Sequence, residues 1–396
     1  MGELEHSLRG RVAVVGVGET TYYKRGQSPD PEFVLVLQAI VAACADAGIE
    51  LSSIDGFCSY SNDRNTPARL SAALGGEVIR YSNMQWGGGG GGAAAAVQNA
   101  CLAVLSGSAD CVVAYRGLAQ GQFGRFGQGA KSSTISGSAA LTVPYGVMSP
   151  AQTYAMRTTR LFHDHAISPD TLKAVSLAAY HHAQNNPRAV MYGRPLTAEA
   201  YDASRWITEP FHLYDLCLEN DGAAAVIVMS AERARDLSDR PVYVLAAQQG
   251  GPRRSGVAGH NQPDYVTSSL KPVIPRLFAQ AGVTPAEVDV VQSYENFTGA
   301  VVMSLIESGF CTYESANEVL TFDNLIAPRG KLPLNTSGGN LAECYMHGLG
   351  LVIEAIRQVR GESTNQVPGA KVSFVNAGPM VEVVSAAIFG RAEVLG

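Results

Sequence analysis

The chain has 396 residues, 46% of them hydrophobic, 8% aromatic and only 16% charged, with 42 glycines of which six are consecutive, Gly87 to Gly92. Such a length predicts about two compact units that each bury a real core, which excludes disordered chains and disulfide-stapled miniproteins. A net charge of −6 at pH 7, with no run of Lys or Arg, leaves no footprint for nucleic acid or an acidic membrane surface, and no apolar run approaches the roughly 20 residues of a membrane span.

Arg11 to Val17 is a short β-branched run bounded by glycine and predicts a buried strand. Pro31 to Gly48 has helical spacing with Gly48 as its stop, and Leu51 to Tyr60 predicts a second strand, which together suggest a βαβ unit and a parallel sheet. The glycine run then enters an almost wholly apolar helix, A-A-A-A-V-Q-N-A-C-L-A-V-L-S-G, followed by a strand from Cys111 to Tyr115. A helix without a polar face must be buried between layers.

From Leu118 to Tyr214 the chain is rich in Gly, Ser, Gln, His and Tyr, with helix-like segments at Ala151 to His165 and Pro169 to Asn185. This is a candidate ordered lid. Strand pattern resumes at Glu219-Asn220-Asp221-Gly222. The earlier order then repeats at Pro241 to Ala247, Pro272 to Gly282, Val288 to Tyr294, the Ser337-Gly338-Gly339 turn with its following helix, and Lys371 to Ala377. At an offset of 234, residues 45 to 60 meet 279 to 294 with six identities, Asp55/Asp289 and Tyr60/Tyr294 among them, against roughly one or two expected by chance. The expected organisation is an N-terminal half (1–117 and 215–235), an inserted lid (118–214) and a C-terminal half (236–396). The expected fold class is α/β, a duplicated five-layered α-β-α-β-α core.

Met1 to Gly10 lacks the basic start and apolar stretch of a signal peptide, so a cytoplasmic location is expected. The cysteines at 44, 58, 101, 111, 217, 311 and 344 read as free buried thiols. No C-x-x-C occurs, and His163, His165, His181 and His182 read as surface histidines, so no metal is expected.

These residues resemble the thiolase superfamily, and more narrowly the thiolase-like lipid-transfer proteins related to the thiolase part of sterol carrier protein X. The resemblance rests on Glu219 to Val226 (E-N-D-G-A-A-A-V), Ala281 to Asp289 (A-G-V-T-P-A-E-V-D), Asn335 to Asn340 (N-T-S-G-G-N) and Phe374 to Pro379 (F-V-N-A-G-P). It implies the thiolase fold and a CoA thioester ligand. The family's nucleophilic cysteine falls in the glycine run, with Gly89 the best register to within two residues, so that seat holds no thiol. Tyr294 stands where the family has its oxyanion-hole Asn or His, Tyr345 replaces the catalytic histidine and Asn376 the acid/base cysteine. His347, Asn376 and Gly378 are the supporting candidates at the same boxes.

Losing both cysteines removes the acyl-enzyme route. Two phenols beside a thioester suit retro-aldol cleavage of a β-hydroxyacyl-CoA instead. The resemblance extends to an actinobacterial branch that acts as aldolases in steroid side-chain degradation, which implies release of propionyl-CoA from a 17-hydroxy steroid carboxyl-CoA to leave a 17-keto steroid. Tyr294 would be the base at the hydroxyl, and Tyr345 would polarise the thioester and return a proton. The alternative is a non-catalytic acyl-CoA or sterol carrier with a degenerate site. No cofactor is implied beyond the CoA of the substrate. The resemblance further implies a homodimer, joined through an edge strand at Cys111 to Tyr115, and a complex with the OB-fold, zinc-binding domain of an acyl-CoA hydratase subunit. Arg125, Lys131, Arg157 and Arg188 are candidates for the CoA phosphates.

Overall fold

The computed structural model describes residues 7–61, 63–86, 89–123, 134–238, 241–253 and 264–396. The first half contributes strands β1 (Val12–Glu19), β2 (Gly56–Tyr60), β3 (Tyr81–Gln85), β4 (Val112–Ala119) and β5 (Asn220–Ser230), with helices α1 (Glu32–Ala47) and α2 (Ala93–Leu105). The segment between β4 and β5 carries α3 (Pro150–His165) and α4 (Asp170–Ala183), as the sequence predicts. The second half contributes β6 (Val242–Gly250), α5 (Ile274–Ala281), β7 (Val290–Ser293), α6 (Thr298–Glu307), α7 (Leu349–Arg360), β8 (Val372–Ala377) and β9 (Val384–Gly390).

The strands follow one hydrogen-bonded path, β7-β8-β9-β6-β1-β5-β4-β2-β3, in which the halves repeat the same order. In the first, β2 pairs parallel with β4, β4 antiparallel with β5, and β5 antiparallel with β1. In the second, β7, β8, β9 and β6 pair in the same senses. Along this path the halves meet where β1 pairs with β6, through Ala13 with Tyr243 and Val14 with Val242. The sheet is therefore mixed rather than parallel, because β5 and β9 enter it antiparallel between strands that the sequence pattern placed side by side.

The repeat extends to individual hydrogen bonds. Asp55 accepts from the backbone N–H groups of Asp110 and Cys111, and Asp289 accepts from those of Lys371 and Val372. Each carboxylate thus caps the start of the neighbouring strand in its own half. Gly48 and Gly282 end α1 and α5 with φ of +67° and +64°, the left-handed conformation glycine tolerates without cost.

Alternation along β5 sends Ala223, Ala225, Ile227 and Met229 toward the outer helices and Ala224, Val226 and Val228 toward an inner layer. That inner layer is α2 and α7, packed on strands from both halves. Ala93 to Ala96 are fully buried there, which is why α2 needs no polar face. With α1 and α5 outside, this is the expected five-layered order.

Two expectations are corrected. The Cys111 to Tyr115 strand lies inside the sheet between β2 and β5, so it is no edge; the edge of this half is β3, whose Y-S-N-M-Q sequence escaped notice because Ser82, Asn83 and Gln85 leave it no apolar strand pattern. His182 is fully buried rather than on the surface. Its Nε2 accepts from the Ala327 N–H at 2.8 Å, and burial pushes its pKa down to about 3. No helix among the described residues is long and apolar enough to cross a membrane.

Candidate active site

Tyr294 leaves the end of β7, where its backbone N–H donates to Asn376 Oδ1 of β8 at 3.1 Å. Tyr345 sits between the turn Gly339–Glu343 and the start of α7, its backbone N–H donating to Asn220 Oδ1 at 2.6 Å. These two anchors bring the phenols together. Tyr294 Oη donates to Tyr345 Oη at 2.7 Å, with the rings 6.0 Å apart and inclined at 67°. Burial drives both pKa values well above the usual phenol range; within the pair, the bond from Tyr294 favours the ionised form of Tyr345 and disfavours its own. Both are neutral phenols at physiological pH.

The glycine run explains the space they occupy. A Cβ at Gly90 would stand 2.1 Å from Tyr294 Oη, at Gly91 2.1 Å from the Val383 carbonyl oxygen, and at Gly92 2.3 Å from Tyr60 Cβ. Close packing thus requires three of the four glycines described. Gly89, with φ +51°, has nothing within 4 Å of its Cβ position. The side-chain direction at the head of α2 is thus filled, from Gly90, by the Tyr294 phenol itself. Gly378 lies against the same run: its Cβ would meet Gly91 N at 2.1 Å, and its φ is +63°. Gly87 and Gly88 lie outside the described residues.

The tyrosines face a cavity of about 370 Å³ that also receives Gly89, Gly90, Gln120, Tyr154, Cys217, Asn296, His347 and Gly378. Its apolar lining comes from Pro150, Ala151, Ile207, Leu216, Leu218, Phe297 and Val381, a size and character suited to a rigid hydrocarbon. Wider depressions of about 780 and 600 Å³ run along α3 and touch neither tyrosine. His347, at φ +48°, lines the cavity, and burial beside Arg116 and Arg64 holds it neutral, well below its usual pKa. Asn376 is buried behind Tyr294, its amide bonded to Ser293 and to the Tyr294 N–H. It holds the strand end.

Cys217 and Gln120 escape a reading of the sequence, since neither lies in a recognisable box. Burial pushes the Cys217 thiol up to about 12, so it carries no thiolate character. Glu295 and Glu343 are buried, and each is pushed up to about 8 by desolvation. Glu295 Oε2 accepts from the Asn340 N–H at 3.0 Å, and Glu343 Oε1 from Asn186 Nδ2 at 2.7 Å.

Of the basic candidates, Arg157 is 1% exposed and donates to the Thr267 carbonyl, which makes it structural. Arg188 lies 3.9 and 4.0 Å from Glu19 and Glu343. Arg125 and Lys131 fall outside the described residues. The constellation as a whole offers two hydrogen-bonded phenols, a neutral imidazole, the Glu219 side chain and no thiolate, in a largely apolar pocket.

Residues 253–391 match the family described as Thiolase C-terminal domain-like. Over 381 residues the chain is 39% identical to a 17-hydroxy-3-oxo-4-pregnene-20-carboxyl-CoA lyase of Mycobacterium tuberculosis, covering 94% of this chain and 97% of that protein. It is 36% identical to a steroid side-chain-cleaving aldolase of Thermomonospora curvata, covering 94% and 96%. The solved structure of an Ltp2-ChsH2(DUF35) aldolase superposes with a TM-score of 0.89 at 35% identity, covering 97% of this chain and 98% of that one.

Proposed function

The chain belongs to the family of thiolase-fold steroid side-chain-cleaving aldolases, and from that premise we propose that it cleaves a β-hydroxyacyl-CoA steroid side chain to a 17-keto steroid and propionyl-CoA, with no covalent acyl-enzyme. The observation that carries the mechanism is the 2.7 Å bond between Tyr294 Oη and Tyr345 Oη.

A retro-aldol step breaks the Cα–Cβ bond. The hydroxyl carbon becomes a ketone and loses its O–H proton, while Cα keeps the electron pair as a thioester enolate and must gain a proton. The net change is one proton moved from oxygen to carbon. Two neutral phenols joined by a hydrogen bond can do this as a relay: Tyr294 takes the hydroxyl proton while passing its own to Tyr345, which gives its proton to Cα. Each phenol ends as it began. Strongly raised pKa values favour this over a standing phenolate, because the relay leaves neither phenol ionised in the pocket.

His347, a neutral imidazole, and the Gly378 backbone are supporting groups toward the thioester, and Asn376 positions Tyr294. The same proposal includes a homodimer formed through the β3 edge and a complex with a DUF35-type partner, of the kind named together with the similar aldolase. Such a partner, the OB-fold zinc-binding domain of an acyl-CoA hydratase subunit, would deliver a substrate prone to lose water.

The test is incubation with a 3-hydroxyacyl-CoA bearing a tertiary hydroxyl, with propionyl-CoA as the readout. Tyr294→Phe and Tyr345→Phe should fold and lose cleavage by about 10²- to 10⁴-fold. Binding without product in the wild type would make the protein a carrier, and full activity in either variant would remove that tyrosine from the relay.

A further inference from the structure

Gln120 is 2% exposed, yet neither Nε2 nor Oε1 of its carboxamide has a hydrogen-bond partner among the described residues. It lines the cavity with the tyrosine pair. The chain on both sides of it is held still. The Ala119 N–H donates to Glu32 Oε2 at 2.9 Å, and the Gly121 N–H donates to Asp221 Oδ1 at 2.7 Å. A buried amide with no partner costs stability, and an apolar side chain of the same length would serve the fold better. Such a group, fixed by its neighbours and left unsatisfied inside a ligand cavity, is what a preorganised contact to a polar ligand atom looks like.

The placement selects which atom. The apolar lining derives from the insertion and the segments beside it, Pro150, Ala151, Ile207, Leu216 and Phe297, which suits the ring system. Gln120 directly follows β4, whose last residue, Ala119, pairs with Asp221 of β5, and it shares the cavity with Ser61 and with Gly89 and Gly90 at the head of α2, away from the helix α3 residues in sequence and fold. Resting on the aldolase reading, we propose that Gln120 binds the thioester end of the substrate, its Nε2 donating to the thioester carbonyl oxygen, where negative charge grows as the enolate forms. It would act beside Tyr345 as a substrate-contacting residue that distinguishes a CoA thioester from an apolar ligand of similar bulk.

The test compares Gln120→Met with the wild type in three measurements: thermal melting, calorimetric binding of propionyl-CoA and of the 17-keto steroid, and cleavage of the tertiary β-hydroxyacyl-CoA. The expected variant melts at a higher temperature, keeps its steroid affinity, and loses about ten- to a hundred-fold in both propionyl-CoA affinity and kcat/KM. Propionyl-CoA affinity and cleavage within twofold of wild type would overturn the proposal. So would a lower melting temperature with both ligands weakened equally, since that marks a structural residue. No cleavage by the wild type itself would instead sink the aldolase reading, while a variant that cleaves normally beside an active wild type sinks only the role of Gln120.

Discussion

A single methyl group added at Gly90 should disable the site while leaving every polar group in it intact. The Cβ of Gly90→Ala would stand 2.1 Å from Tyr294 Oη and 2.2 Å from its Cε2 and Cζ, where ordinary contact begins at 3.4 Å. The phenol must therefore withdraw by about 1.3 Å or more, or α2 must shift by as much. The ring is also packed closely against Gly348, where an added Cβ would stand 2.7 Å from Tyr294 Cδ2. A withdrawal of that size away from Tyr345 takes their 2.7 Å bond beyond hydrogen-bonding range. Overpacking of this kind costs ~1–3 kcal/mol of stability, and a misplacement near 1 Å costs ~10²-fold in rate. The assay is propionyl-CoA release together with a thermal melt. Gly89→Ala is the control. It meets nothing within 4 Å, so its cost is limited to holding alanine at φ +51°, ~1 kcal/mol. If Gly90→Ala melts and turns over like the wild type, Tyr294 does not occupy the place assigned to it and the relay geometry fails with it.

Two further predictions concern stability. The Glu295 carboxyl is pushed up to about 8 in the fold, against an ordinary 4.5. The stability this contributes is full below the unfolded value and is lost as pH rises through about 8, up to ~4–5 kcal/mol. Urea midpoints should fall between pH 5 and 8, and Glu295→Gln should flatten that slope, leaving the part due to Glu343; an unchanged slope would show that Glu295 ionises normally. Asp55→Ala and Asp289→Ala should each cost ~1–3 kcal/mol, because each strands two backbone N–H groups at a strand start. A large difference between the two in chemical denaturation would argue against equivalent roles in the halves.

Much of the fold was legible because it follows from local signals. Gly48 and Gly282 mark helix ends through their αL backbone, and the apolar sequence of α2 leaves no option except a buried layer. The duplication showed as six identities, and two of the residues involved, Asp55 and Asp289, turn out to perform the same hydrogen-bonding task. What the sequence did not show depends on distant neighbours. Nothing in Tyr81–Gln85 announces an edge strand, and no local signal says that β5 and β9 run antiparallel to both neighbours within their own halves. The tyrosines were visible by their placement in motifs, whereas their mutual hydrogen bond requires β7 and the start of α7 to converge. Gln120 and Cys217 carry no local signature. They matter only through what surrounds them.

The shared inner layer has a consequence for how such a chain comes to exist. α2 and α7 bury their apolar surfaces on strands of both halves, and the sheet passes from one half to the other through the short β1–β6 ladder. A half released on its own would expose a helix made for the inside of a protein, with no solvent-tolerant side to turn outward. The two copies therefore act as mutual solvent shields, and acquiring the native state is a joint event in which residues more than 200 positions apart must meet before either central helix is at rest.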